Sequence, residues 1–235
     1  MHKLDRAFGF DVDQTLNTNL VALHLKHYNS ILNLGLSSQY IQEANKNYRK
    51  VFDVPEIAAA MNNRENEFKA ARKWIRESSE VNMAFDVMPG SVLGVKHLSL
   101  IAHSLGYFTV RPQIEGMYEM TRDWLAMAGI PNSQKTIVCK DPGDKIDKIV
   151  RSTETDLPVV LIDDSLGGPD GLLAAAAKYS PQDLLNRLTL VGFGMNTTKA
   201  QSLREEMGVS SAINVLGLAS WNPNLVHALT IELAV

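Results

Sequence analysis

The chain has 235 residues, 45% of them hydrophobic and 21% charged, with a formal net charge of -3. This is ordinary globular composition, long enough for one large domain or a core carrying a smaller one, and the balance gives no electrostatic reason to bind nucleic acid or an acidic membrane surface. A single cysteine, Cys139, excludes an intrachain disulfide framework; with no signal-peptide pattern after Met1 and no apolar run of membrane-spanning length, the expectation is a soluble cytoplasmic protein.

The apolar run Ala7-Phe8-Gly9-Phe10 predicts a buried strand, taken as Arg6 to Val12. From about Asn19 to Met88 the pattern turns helical. Val21, Leu25, Tyr28 and Leu32 recur at steps of three and four, with Gly35 as a stop. Ser37 and Ser38 are candidate caps for a second helix with the stripe Ile41, Ala44, Tyr48 and Val51. Pro55 suits a first turn, and Asn62 with Glu65 resembles a capping pair before Phe68, Ala71 and Ile75. No strand signal interrupts this stretch, so it reads as an all-helical unit.

From Pro89 onward helices and strands alternate. Helices are predicted at 91–104, 115–128, 144–153, 172–179, 198–207 and 220–229, and strands at 105–110, 136–140, 158–163, 188–193 and near 212–216. Uniformly apolar strands alternating with helices indicate a parallel sheet covered on both faces. The first strand must join that sheet, which makes the helical stretch an insertion. The expected organisation is an α/β doubly wound core, residues 1–18 and 89–235, with an all-helical cap at 19–88. Hinges are expected near Asn17 to Asn19 and Val87 to Pro89.

Open α/β sheets place their chemistry at the carboxyl ends of strands. Asp11 and Asp13 crowd beyond the first strand with Thr15. Like charges that close repel unless a cation neutralises them, which points to metal-assisted phosphoryl transfer. Thr109 ends another strand and Arg111 follows. Lys140 ends a third, with Lys145 opening the next helix, and Asp163-Asp164-Ser165 closes the 158–163 strand.

Taken in this order, Asp11-x-Asp13-x-Thr15, Thr109, a lysine between 140 and 145, and Asp163-Asp164 resemble the four motifs of the haloacid dehalogenase-like superfamily. The resemblance covers most of the chain. It implies a doubly wound core with a cap inserted soon after the first motif, and a Mg²⁺-dependent phosphohydrolase acting on a small phosphate ester. Asp11 would be the nucleophile that forms an aspartyl-phosphate, and Asp13 the acid and base. Asp11, the main-chain carbonyl of Asp13, and Asp163 would hold Mg²⁺, with Asp164 either a ligand or just behind them. Thr109 would donate to a phosphoryl oxygen, and Lys145 or Lys140 would add positive charge; Lys145 is preferred because it opens a helix after a Gly-Asp turn. Thr15 and Arg111 are candidate substrate-binding residues. Dehalogenase-like members lack the second aspartate, so Asp13 favours phosphate chemistry. Gln14 departs from the glycine common at its position. Thr109-Val110-Arg111-Pro112 resembles a Thr-x-Arg-Pro variant of some nucleotidase-like members.

Two further readings share these residues. A phosphotransferase or phosphomutase would use the same aspartyl-phosphate. A phosphate-accepting receiver domain also combines acidic pairs, a hydroxyl and a lysine around Mg²⁺, but in a different chain order and without a helical insertion. Elsewhere plainer explanations hold. Arg111 alone reads as a salt-bridge residue, Cys139 as a small buried hydrophobe, and His24 and His27 lack a carboxylate for zinc. Arg49, Lys50, Arg64, Lys69, Arg72 and Lys73 read as a solvated helix face.

Overall fold

The computed structural model describes residues 4–18, 20–48, 50–153, 157–179 and 182–234. Asn19 and Arg49, named above for a hinge and a basic helix face, lie outside them. The chain divides into two compact units, Met1–Leu16 with Val87–Val235, and Asn17–Asp86.

In chain order, β1 (Ala7–Phe10) is followed by β2 (Asn17–Thr18), then by α1 (Leu20–Leu32), α2 (Ser38–Asn47), α3 (Pro55–Asn63), α4 (Glu65–Glu77) and α5 (Ser79–Met83). β3 (Asp86–Val87) pairs with β2 where the chain returns. Alternation then begins: α6 (Ser91–Ile101), β4 (Ser104–Val110), α7 (Met117–Met127), β5 (Thr136–Cys139), α8 (Pro142–Ser152), β6 (Val159–Asp163), α9 (Leu172–Lys178), β7 (Leu188–Phe193), α10 (Thr197–Glu206), β8 (Asn214–Leu218) and α11 (Pro223–Ala234).

In the helical unit, α1 buries Val21, Ala22, Leu25, Tyr28 and Leu32, and α4 answers with Phe68, Ala71 and Ile75. The Tyr28 and Phe68 rings stack with centroids 5.1 Å apart, an arrangement aromatic pairs favour beyond the area they bury. Ser37 caps α2 by accepting from the Tyr40 amide at 3.1 Å. Three expectations fail here. The α2 stripe stops at Ala44, because Tyr48 leaves the helical region (φ -119°, ψ 140°) and Val51 starts a separate 3-10 turn. Asn62 with Glu65 is not a capping pair, because Asn62 is still inside α3 and Arg64 occupies the cap position of α4 without a side-chain bond. The stretch is not purely helical, because β3 pairs with β2; strands of two residues are too short for periodicity to reveal.

In the larger unit a six-stranded parallel sheet has the order β5-β4-β1-β6-β7-β8. Every residue of β1 is buried, as expected for a central strand covered on both faces. Gly9 permits this closeness: a Cβ there would lie 2.1 Å from the Ile149 Cδ1 of α8. After β1 the path builds outward through β4 to β5, then returns to β1's other side and builds through β6 to β8. The strand order therefore reverses beside β1, where open α/β sheets form a crevice at their carboxyl ends. Phe10 is level with both Tyr107 of β4 and Ile162 of β6, so the residue after each edge of that crevice is Asp11 or Asp163.

Two boundaries matter for the site. α8 begins at Pro142 rather than 144, because Asp141 caps it by accepting from the Asp144 amide at 2.8 Å and Pro142 suits the first turn. α11 runs from Pro223 to Ala234 rather than 220–229, leaving Trp221 in the loop before it.

Candidate active site

Asp11 leaves β1 with its amide donating to the Ile162 carbonyl at 2.8 Å, so the first and fourth acidic segments start at the same level of the sheet. Capping by Asp141 puts Lys145 in the first turn of α8. From there Nζ donates to Asp11 Oδ1 and to Asp163 Oδ2, both at 2.6 Å. All three residues are buried. Asp163 Oδ1 accepts from the Ser165 amide at 2.7 Å. Asp164 lies beside them, and ligand oxygens of Asp11, Asp163 and Asp164 all fall within 4.8 Å of one another.

This group is short of positive charge. Three ionised carboxylates and one ammonium leave two negative charges in a buried cleft. Burial first, then Asp163, Asp164 and Asp13, push the Asp11 carboxyl well above the usual range, although Lys145 opposes them. Burial and Asp163 push Asp164 up to about 7. Burial would discharge Lys145, but Asp11 and Asp163 outweigh it and hold the ammonium charged. An all-oxygen, doubly anionic donor set fits a hard divalent cation such as Mg²⁺.

Asp13 faces different company. Arg111 donates to both of its oxygens, Nε to Oδ2 at 2.9 Å and Nη2 to Oδ1 at 2.6 Å. The third guanidinium nitrogen, Nη1, donates to Thr121 Oγ1 of α7 at 3.0 Å, and that hydroxyl donates to the Met117 carbonyl at 2.8 Å. Arg111 is 4% exposed and Thr121 fully buried. Burial alone would lower the Arg111 pKa, but Asp13 outweighs it and raises it. Thr109, at the end of β4, directs Oγ1 at Asp13 Oδ2, at 3.4 Å.

The loop between these groups is braced from several directions. Thr15 is fully buried, and its hydroxyl accepts from the Asp164 amide at 3.1 Å, tying the first segment to the fourth. Its carbonyl accepts from Trp221 Nε1 at 2.7 Å, and the Leu16 carbonyl accepts from the Met88 amide at 2.8 Å. The Trp221 ring fits because α6 carries Gly94, where a Cβ would meet it at 2.4 Å. Gln14 takes φ +61°. That left-handed conformation is why glycine suits this position, and a side chain there carries a backbone cost of about 1–2 kcal/mol.

The sequence-derived candidates thus separate into groups. Asp11, Lys145, Asp163 and Asp164 converge, and Asp13, Thr109 and Arg111 form a second cluster. Lys140 is exposed, its main-chain amide donates to Asp144 Oδ2 at 2.7 Å, and its charge acts on that same carboxylate. Of the two lysines, the acidic group therefore holds Lys145. Arg111, read above as substrate-binding or as a plain salt bridge, has its guanidinium committed to Asp13 and Thr121. Thr121 and Trp221 escaped sequence reading. Thr121's one signal is a hydroxyl on the buried face of α7, four residues after Met117. Cys139 is fully buried, its thiol pushed up to about 12 by that burial.

The sequence matches no protein-family profile and no curated protein. Solved structures do resemble it. A HAD (haloacid dehalogenase-like) family hydrolase from Deinococcus radiodurans R1, solved with bound phosphate and sodium, superposes with a TM-score of 0.56 at 14% identity, covering 100% of this chain and 98% of that one. The fold is that of the haloacid dehalogenase-like hydrolases. A protein described as a HAD hydrolase from Bacillus subtilis, bound to magnesium, gives 0.54 at 12% identity over 100% of both chains. A protein described as a haloacid dehalogenase-like hydrolase from Burkholderia xenovorans LB400 gives 0.52 at 14% identity, again over 100% of both. On this HAD-like sheet the acidic group occupies the crevice between β1 and β6. Among the described residues no helix is long and apolar enough to cross a membrane.

Proposed function

We propose that this chain is a Mg²⁺-dependent phosphohydrolase that cleaves a small phosphate monoester through an aspartyl-phosphate. The observation that carries the reading is the under-neutralised trio Asp11, Asp163 and Asp164, with Lys145 held between two of them. Asp11, Asp163 and Asp164 would hold the metal, together with the main-chain carbonyl of Asp13. Bound there, Mg²⁺ would offset the repulsion between an anionic carboxylate and an anionic phosphate.

The chain's own residues carry the rest. Lys145 works against the protonation of Asp11 that burial favours, so that a carboxylate oxygen attacks phosphorus while the bond to the leaving oxygen breaks. Asp13 gives that oxygen its proton. In the second half Asp13 takes a proton from a water, whose oxygen attacks phosphorus and releases Asp11 and inorganic phosphate. Thr109 donates to a phosphoryl oxygen. The helical unit would be the cap that excludes bulk water during the chemistry, with the chain near Asn17 and Val87 as its hinges.

The test is hydrolysis of a panel of phosphorylated metabolites and aryl phosphates, with Mg²⁺ and with chelator. Magnesium-dependent phosphate release is expected, abolished in Asp11→Asn while circular dichroism is unchanged. Full turnover in chelator would refute the metal assignment, and retained activity in Asp11→Asn would remove Asp11 from its role.

A further inference from the structure

We propose that Arg111, anchored by Thr121, is a positioning residue that holds Asp13 in line to protonate the leaving group, rather than a residue that grips the substrate phosphate. This deepens the phosphohydrolase reading and rests on it.

A carboxylate just beyond a strand end is free to turn about two side-chain torsions. Here it is not free, because two parallel N–H···O bonds fix both its oxygens and the plane of the carboxyl group. Such forked pairs are specific in direction as well as strong. The fork is itself fixed. Arg111 is 4% exposed, and its remaining Nη1 is bonded to Thr121, whose hydroxyl donates to the Met117 carbonyl. The chain of bonds therefore runs from the backbone of α7 through two side chains to Asp13, with every side-chain member but Asp13 buried. Asp13 is 28% exposed at its side chain, so it is the one member that can meet a substrate.

A guanidinium meant to bind phosphate would present its fork to the crevice. This one presents its fork to Asp13. Lysine cannot reproduce the geometry, because an ammonium supplies point charge without a planar fork.

The consequence is a dependence on the leaving group. Protonation matters for an alkyl phosphate, whose alkoxide leaves poorly, and little for an aryl phosphate with a strongly acidic phenol. kcat/KM reports the steps up to departure of that group. In Arg111→Lys, kcat/KM for an alkyl phosphate should fall about 100-fold, and for 4-nitrophenyl phosphate by less than about fivefold. Thr121→Val, which keeps the side-chain volume, should show the same selectivity with a loss of about three- to tenfold on the alkyl ester. Asp13→Asn should reproduce the selectivity, and adding Arg111→Lys to it should cost nothing further, because a residue that acts through Asp13 has nothing left to orient.

An equal loss on both esters, a rise in KM with kcat unchanged, or additive losses in the double variant would each overturn the inference. If Arg111→Lys fails to fold by circular dichroism, Thr121→Val decides on the same criterion. Wild-type protein that hydrolyses no phosphate ester with Mg²⁺ removes the phosphohydrolase reading and this inference together. Hydrolysis without leaving-group selectivity in the variants removes this inference alone.

Discussion

The two flanks of the β1 carboxyl end hold carboxylates two residues apart in opposite electrical states. Toward β6, Asp11 shares a buried space with Asp163 and Asp164, and one ammonium serves all three. Toward β4, both oxygens of Asp13 accept from the Arg111 guanidinium, whose charge also reaches Asp11. The difference shows why a short acidic motif cannot be read as one object. The first flank is short of positive charge, and its donor set fits a cation. The second pairs one carboxylate with a guanidinium that fixes both its oxygens. Buried charge without compensation costs several kcal/mol, so each arrangement requires its partner.

The comparison can be broken most severely on the metal flank. Asp11→Asn should lower phosphate release by about 10⁴-fold or more, because a carboxamide cannot act as the nucleophile. Lys145→Met should be almost as damaging, by about 10²–10³-fold; its melting temperature should also drop, since two buried carboxylates lose their ammonium. Both are checked by a steady-state assay and a thermal melt.

A milder change should sharpen the comparison. Asp164→Asn removes one of the repelling charges and leaves Lys145 with its two partners. Without added metal, the variant should melt above the parent. The parent should gain stability with millimolar Mg²⁺, and the variant should gain less. The same reasoning gives a pH signature in chelator. The Asp164 pKa is raised to about 7, so the folded state binds more protons than the unfolded chain between the ordinary carboxylate range and about 7. Stability should therefore fall as pH rises through that window. Mg²⁺ should flatten the slope; a melt that rises with pH in chelator would contradict this charge assignment.

The smallest effect belongs to the loop joining the flanks. Gln14→Gly should be more stable than Gln14→Ala by about 1 kcal/mol, because only glycine takes φ +61° without strain. Comparing two side chains that both lack the amide isolates the backbone. Equal melting temperatures would mean the loop relaxes its dihedral.

Much of the large unit was legible because its strands are apolar runs ending in polar residues. The strand at 188–193 and the alternation around it needed only pattern. The converging set of Asp11, Lys145, Asp163 and Asp164 was legible too, since each lies at or just past a strand end. The preference for Lys145 over Lys140 follows from a helix opening near it, although the exact start of α8 is harder to read. Asp141 as a cap with Pro142 behind it carries that information and sets the start two residues before the Gly-Asp turn ends. The Asp13 pairing was hidden for another reason. Which way an arginine beyond a strand points depends on a hydroxyl in the next helix, Thr121, and no local spacing couples positions 111 and 121 to 13. In the helical unit, Tyr48 fits the periodicity of α2 and still falls outside it, because spacing along the chain does not record where the backbone turns.

The Trp221 ring is wedged against Phe10 and Phe193, with centroids at 6.1 Å and 5.6 Å, while its indole N–H holds the Thr15 carbonyl. An optical reporter is thus held against the loop that carries Asp13 and Thr15. Any rearrangement of residues 13–16 must alter the polarity seen by that indole, so its emission should follow ligand arrival in real time without a dye. Trp74 and Trp124 set the background and can be replaced by phenylalanine to isolate the signal.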